Sequence, residues 1–171
     1  DFVGEWQPYG SDTWQFVHAL LRDAIYEALS PKSRKNYHCQ IAEAYQDLPE
    51  LCAEHLYLAG EPNAADIFAK TASTLLERYQ LHASLSLYER ATHCNISNPQ
   101  KVDILCQQGW IYEQLGAGKS CLRRFNEALS LSECLSPAQN LEVNLGRLAA
   151  MRLLGMLKEG EQLANKLQTQ L

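Results

Sequence analysis

The sequence predicts an all-α chain of antiparallel helical hairpins behind a short N-terminal β-hairpin. Three observations point there. Apolar residues recur at helical spacing, as in Leu105, Tyr112 and Leu115, then Cys121, Leu122, Phe125, Ala128 and Leu129, then Leu163, Ala164 and Leu167. Serine or asparagine followed by proline, at Ser30-Pro31, Asn98-Pro99 and Ser136-Pro137, marks helix starts, because a capping side chain is followed by a residue whose missing N–H costs nothing in the first turn. Finally, Tyr88-Glu89-Arg90-Ala91 and Phe125-Asn126-Glu127-Ala128 repeat an aromatic followed three residues later by alanine, with Ala91 and Ala128 37 positions apart. That period is close to the roughly 34 residues of a helical-hairpin repeat.

Taken in order, Phe2 to Gln7 and Thr13 to His18 are short aromatic and β-branched runs separated by the turn-rich Pro8-Tyr9-Gly10-Ser11-Asp12, which predicts a β-hairpin. Amphipathic helices are expected at about Leu20 to Leu29, Ser33 to Tyr45 and Glu50 to Ala59. After the Gly60-Glu61-Pro62 break, six helices in three pairs are expected, with Gly116-Ala117-Gly118 breaking the middle pair. Leu105, Gly109, Tyr112, Cys121, Phe125 and Ala128 fall where the tetratricopeptide repeat has its large, small, aromatic, small, aromatic and alanine positions. Gly109 and Ala128 would let two helices approach while Tyr112 and Phe125 fill the space beside them. Phe68, Ala72, Leu75, Ser84, Tyr88 and Ala91 form a weaker copy, and the last pair keeps mainly Gly146 and Ala164. The expected architecture is therefore residues 1–60 as one unit and 61–171 as three tetratricopeptide-like hairpins wound into a right-handed superhelix.

Composition sets the bounds. A chain of 171 residues, 46% hydrophobic, buries about 70% of its unfolded surface, enough for one soluble core without a metal or disulfide. No apolar stretch approaches the roughly 18 residues that span a bilayer, and the first residues lack a secretion-signal layout, so a cytoplasmic location and no membrane partner are expected. Six cysteines, Cys39, Cys52, Cys94, Cys106, Cys121 and Cys134, are scattered singly and read as reduced thiols, several in the core. A net charge of −5 makes nucleic acid an unexpected partner. The one basic cluster, Lys32, Arg34 and Lys35 with His38 nearby, reads as a solvated helix face.

The string Phe16-Val17-His18-Ala19-Leu20-Leu21-Arg22-Asp23-Ala24-Ile25-Tyr26, then Arg34 and His38 before Ile41-Ala42, then Pro49-Glu50-Leu51-Cys52-Ala53-Glu54-His55 and Ala59-Gly60, resembles the STAND-type signal-transduction ATPases, including those linked to nucleotide cyclases or acting as transcriptional regulators. The likeness runs from about Thr13 to Ala91, where such proteins pass from winged helix into tetratricopeptide sensor. It implies that the β-hairpin and the helices to residue 60 end a winged-helix domain, and that a nucleotide-binding core lies upstream. It also implies that His18 stands where the family has a histidine that contacts the β-phosphate of bound ADP, although Ala19 replaces an aspartate common beside it. The other reading of His18 is a side chain bonded to neighbouring backbone.

The sequence offers no catalytic motif. Gly116-Ala117-Gly118-Lys119-Ser120 imitates the tail of a phosphate-binding loop, but Glu113 stands where that loop needs glycine and the stretch ends a helix rather than following a strand. Cys52 with His55, and His93 with Cys94, supply two potential zinc ligands each with no third or fourth, so no metal and no cofactor is expected. The expected working surface is the groove lined by the first helix of each hairpin: Asp66, Lys70, Ser73 and Glu77; then Asp103, Gln107, Trp110 and Gln114; then Asn140, Asn144, Arg147 and Met151. Trp110 and Arg147 are residue types that dominate binding hot spots, with Gln114, Gln107, Asn144 and Lys70 beside them. Trp110 either anchors a partner or packs between adjacent helices. The sequence thus points to a non-catalytic sensor or protein-interaction module of a larger signalling ATPase, its partner a protein or a neighbouring domain. The alternative is a freestanding tetratricopeptide adaptor that scaffolds a complex.

Overall fold

The computed structural model describes residues 3–5, 14–16, 18–131, 133 and 135–169. Strands β1 (Val3–Glu5) and β2 (Trp14–Phe16) pair antiparallel, Val3 opposite Phe16 and Glu5 opposite Trp14. The turn expected at residues 8–12 lies outside the described residues, as does Cys134. All other regular structure among the described residues is helical: α1 (Ala19–Ala28), α2 (Pro31–Ala44), α3 (Pro49–Leu58), α4 (Ala64–Glu77), α5 (Leu81–His93), α6 (Asn98–Gln114), α7 (Gly118–Leu129), α8 (Pro137–Leu153) and α9 (Leu157–Gln168). From α2 onward each helix packs on the next, and α6 also packs on α8.

The chain reuses its local solutions. Helices α4, α6 and α8 each end with a residue in the left-handed region, Tyr79 (φ 57°), Gly116 (φ 69°) and Gly155 (φ 69°). In each case the following N–H reaches back to the carbonyl that opens the last turn: Gln80 to Leu75 at 3.0 Å, Ala117 to Tyr112 at 2.9 Å and Met156 to Met151 at 2.9 Å. The residues that then begin α5, α7 and α9 share one conformation, Gln80 (φ −86°, ψ 64°), Ala117 (φ −86°, ψ 63°) and Met156 (φ −81°, ψ 62°). Three successive helix pairs are therefore joined by the same turn.

The starts of α6 and α8 are also copies. Ser97 and Ser136 each accept from the backbone N–H three residues on, while Gln100 and Gln139 return a side-chain bond to the cap backbone. The capping residue of α6 is thus Ser97 rather than Asn98, because only Ser97 has glutamine at the third helical position to complete the reciprocal pair. The same glutamines then reach sideways: Gln100 Nε2 donates to Asp66 on α4 at 3.3 Å, and Gln139 Nε2 donates to Asp103 on α6 at 2.6 Å. A cap has become a rung between successive hairpins.

Helix α6 separates two apolar clusters. Ile104 and Ile111 face Phe68, Ala72, Leu85, Tyr88 and Ala91, whereas Val102, Leu105 and Cys106 join Cys121, Phe125, Ala128, Val143 and Ala150. Phe125 is wholly buried, and its ring fills the space where a Cβ at either Gly109 or Gly146 would stand. The two glycines, one on α6 and one on α8, let a single phenylalanine of α7 lock three helices together. In the preceding pair, the buried Ser84 hydroxyl donates to the Ala72 carbonyl at 2.7 Å, tying α5 to α4.

Candidate functional site

Side chains of α6, α7 and α8 meet around Phe125. The Trp110 indole lies edge-on to the Phe125 ring, with centroids 5.1 Å apart, and donates its Nε1–H to Glu142 of α8 at 3.1 Å. The residue is half-buried, so part of the indole serves the helix interface and part remains open. Arg147 is fixed from two sides, donating through Nε to Asn126 of α7 at 3.0 Å and through a terminal nitrogen to Asn144 at 3.0 Å. Asn144, nearly buried, donates in turn to the Asn140 carbonyl at 2.8 Å. Trp110 and Arg147 therefore contact consecutive residues of α7, Phe125 and Asn126.

The remaining residues expected in the groove are distributed differently. Gln107 is half-buried and Gln114 exposed one turn beyond Trp110 on α6. Asp66 and Asp103 are engaged by Gln100 and Gln139. Lys70 stands apart on α4, where it lines a hollow of about 460 Å³ with Gln46, Pro49, Cys52, Ile67 and Thr71. An adjoining hollow of about 430 Å³ shares Gln46, Cys52 and Ile67 and continues to Cys39, Glu43 and Glu61. Together they form a cleft between α2, α3 and α4. Sequence reasoning missed it because its walls come from three helices whose spacing only packing fixes; the thiol of Cys52 at its floor was the one visible hint.

His18 precedes α1, and its carbonyl accepts from the Leu21 and Arg22 amides at 3.1 and 3.2 Å; its side chain is exposed and makes no capping bond. The stretch that imitates a phosphate loop is the α6–α7 turn, where Gly118 is buried against Leu153 and Leu154. The thiols of α6 and α7 are chemically quiet. Burial, reinforced by Glu142 and Asp103, pushes Cys106 up to about 12, and burial with Glu113 pushes Cys121 up to about 11.

A polar network missed in the sequence joins α1, α2 and α3. Tyr26 Oη lies 2.9 Å from His38 Nε2, and His38 Nδ1 lies 2.9 Å from His55 Nδ1, with the two imidazoles edge to edge and their centroids 5.2 Å apart. The sequence offers His55 beside Cys52 as a potential zinc ligand; in the fold its Nδ1 faces the other histidine instead. The spacing of Cys52 and His55 within α3 was legible, but the approach of α2 was not.

No helix among the described residues is long and apolar enough to cross a membrane. Comparison with protein-family models, with curated proteins and with solved structures finds no match to this chain.

Proposed function

We propose that the chain is a non-catalytic sensor or protein-interaction module of a larger cytoplasmic signal-transduction ATPase of the STAND type. In this reading residues 1–60 end a winged helix, and residues 61–171 are three tetratricopeptide-like hairpins that wind as a right-handed superhelix. The observation that carries it is the repeated joint: the same left-handed turn three times and the same capping box twice, each linked by its glutamine to the preceding hairpin. Stacked repeats of this kind present extended surfaces for protein recognition. The face around Trp110, Gln107, Gln114, Asn144 and Arg147 takes the partner or neighbouring domain, and Lys70 opens on the cleft beside α3.

The reading is tested first by the reading frame, where a phosphate-loop ATPase domain is expected upstream; its absence would favour the freestanding adaptor. Binding is tested on the parent's ATPase core. Trp110→Ala is expected to weaken docking by about 30-fold, equivalent to the roughly 2 kcal/mol typical of a hot-spot aromatic, while Lys32→Ala leaves it unchanged. The comparison is made at matched helical content, because Trp110 also braces α8 through Glu142. Equal docking by folded Trp110→Ala and wild type would sink the assignment of this face.

A further inference from the structure

His38 and His55 present the same ring nitrogen to each other at 2.9 Å, a contact that needs one proton between them: one Nδ1–H donates and the other Nδ1 accepts. Tyr26 continues the chain, donating to His38 Nε2 or accepting from it according to the tautomer. A neutral pair satisfies this geometry, and so does a pair with one extra proton, since an outer Nε2 can carry it, that of His38 then donating to Tyr26 Oη. A doubly protonated pair does not. Two N–H groups and two positive charges would then face each other across a contact whose inner member, His38, is only 7% exposed.

Among the described residues, no charged group is shown in contact with either imidazole to relieve that conflict. On α1, Glu27 is paired with Arg34 at 3.3 Å, and the Arg34 guanidinium lies over the Tyr26 ring at 5.3 Å, adding positive charge beside the network. On α2, Lys35 is paired with Glu61 at 2.9 Å and Glu43 is exposed. Glu54 of α3 is paired with Arg90 of α5, Glu50 is exposed, and on α4 Asp66 is engaged by Gln100 while Lys70 opens on the cleft. The other histidines, His18, His82 and His93, are exposed.

We propose that the His38–His55 contact is a proton-sensitive latch: closed at neutral pH, it parts when both imidazoles are protonated, freeing α1 and α2 from α3 and widening the cleft whose walls include Cys39 and Ala42 of α2. The direction of the effect follows from His38. Burial first, and the charge of His55 second, hold its pKa below the ordinary histidine value. The unfolded or opened chain therefore binds more protons than the closed one, so the latch's contribution is complete above the ordinary value and is lost as pH falls through the lowered one.

The test is hydrogen exchange of the intact chain, corrected for intrinsic rate, between pH 7.5 and 5.0. Opening of α1–α3 should rise by about threefold or more, while α6–α8 changes by less than about twofold. His55→Phe removes the facing nitrogen and its charge while the burial of His38 remains, so its α1–α3 profile should be shallower than that of the wild type. A flat wild-type profile, an equal rise in α6–α8, or an unaltered slope in His55→Phe would each overturn the latch. Should that variant fail to fold, imidazole ¹⁵N shifts of the wild type decide: one protonated and one bare Nδ1 at neutral pH support it, and two bare Nδ1 atoms refute it.

Discussion

Gln108 sits at zero exposure in the middle of α6, and neither its amide oxygen nor its nitrogen meets a partner among the described residues. A buried amide in that position forfeits its bonds to water without replacement, at a cost of about 1–3 kcal/mol. Gln108→Met, nearly the same volume without the amide, is expected to raise stability by that amount in urea titration; a loss would show that the amide is satisfied in solution. The residue-level reading of the sequence did well where one property decides a role. Phe125 was legible as a side chain that fills space beside the small Gly109, and its ring stands where a Gly109 Cβ would be. It did less well with polar residues, since Gln108, Arg147 and His55 could each face solvent or a partner, and nothing local distinguishes those outcomes.

At the scale of the element, Tyr79 departs from the pattern of its neighbours. It occupies the left-handed position that glycine fills at Gly116 and Gly155, and its ring is 85% exposed, so little packing offsets the backbone strain. Tyr79→Gly is expected to raise the melting temperature, by about 1 kcal/mol of stability, whereas Gly116→Ala should lower it by a similar amount. A lower melting temperature for Tyr79→Gly would mean that the exposed ring has work to do. Helix limits were largely readable in the sequence because proline and glycine act over a few residues. The start of α6 shows the finer limit: Asn98 and Ser97 are both capping types, and the choice fell to the residue with Gln100 in reach.

For the whole molecule, burial is uneven. Helix α6 places seven residues in the interior, whereas α1 and α9 place none. At neutral pH hydrogen exchange should therefore be slowest in α6 and α7 and fastest in α1 and α9, as expected of a stack held by nearest-neighbour interfaces. Uniform protection across all helices would instead indicate a single cooperative unit. The alternation of apolar residues, the capping pairs and the aromatic-to-alanine repeat determined by themselves that this chain is helical and where its helices lie, because those signals act within one or two turns. Which polar side chains pair across helices was decided only by tertiary structure. The Gln100 and Gln139 rungs, the hold of Asn126 on Arg147, the contact of His38 with His55 and the cleft beside Lys70 each join residues 17 or more positions apart. Helical periodicity tells which face a residue occupies, but the distance to the facing helix depends on how side chains from both helices fill the space between them.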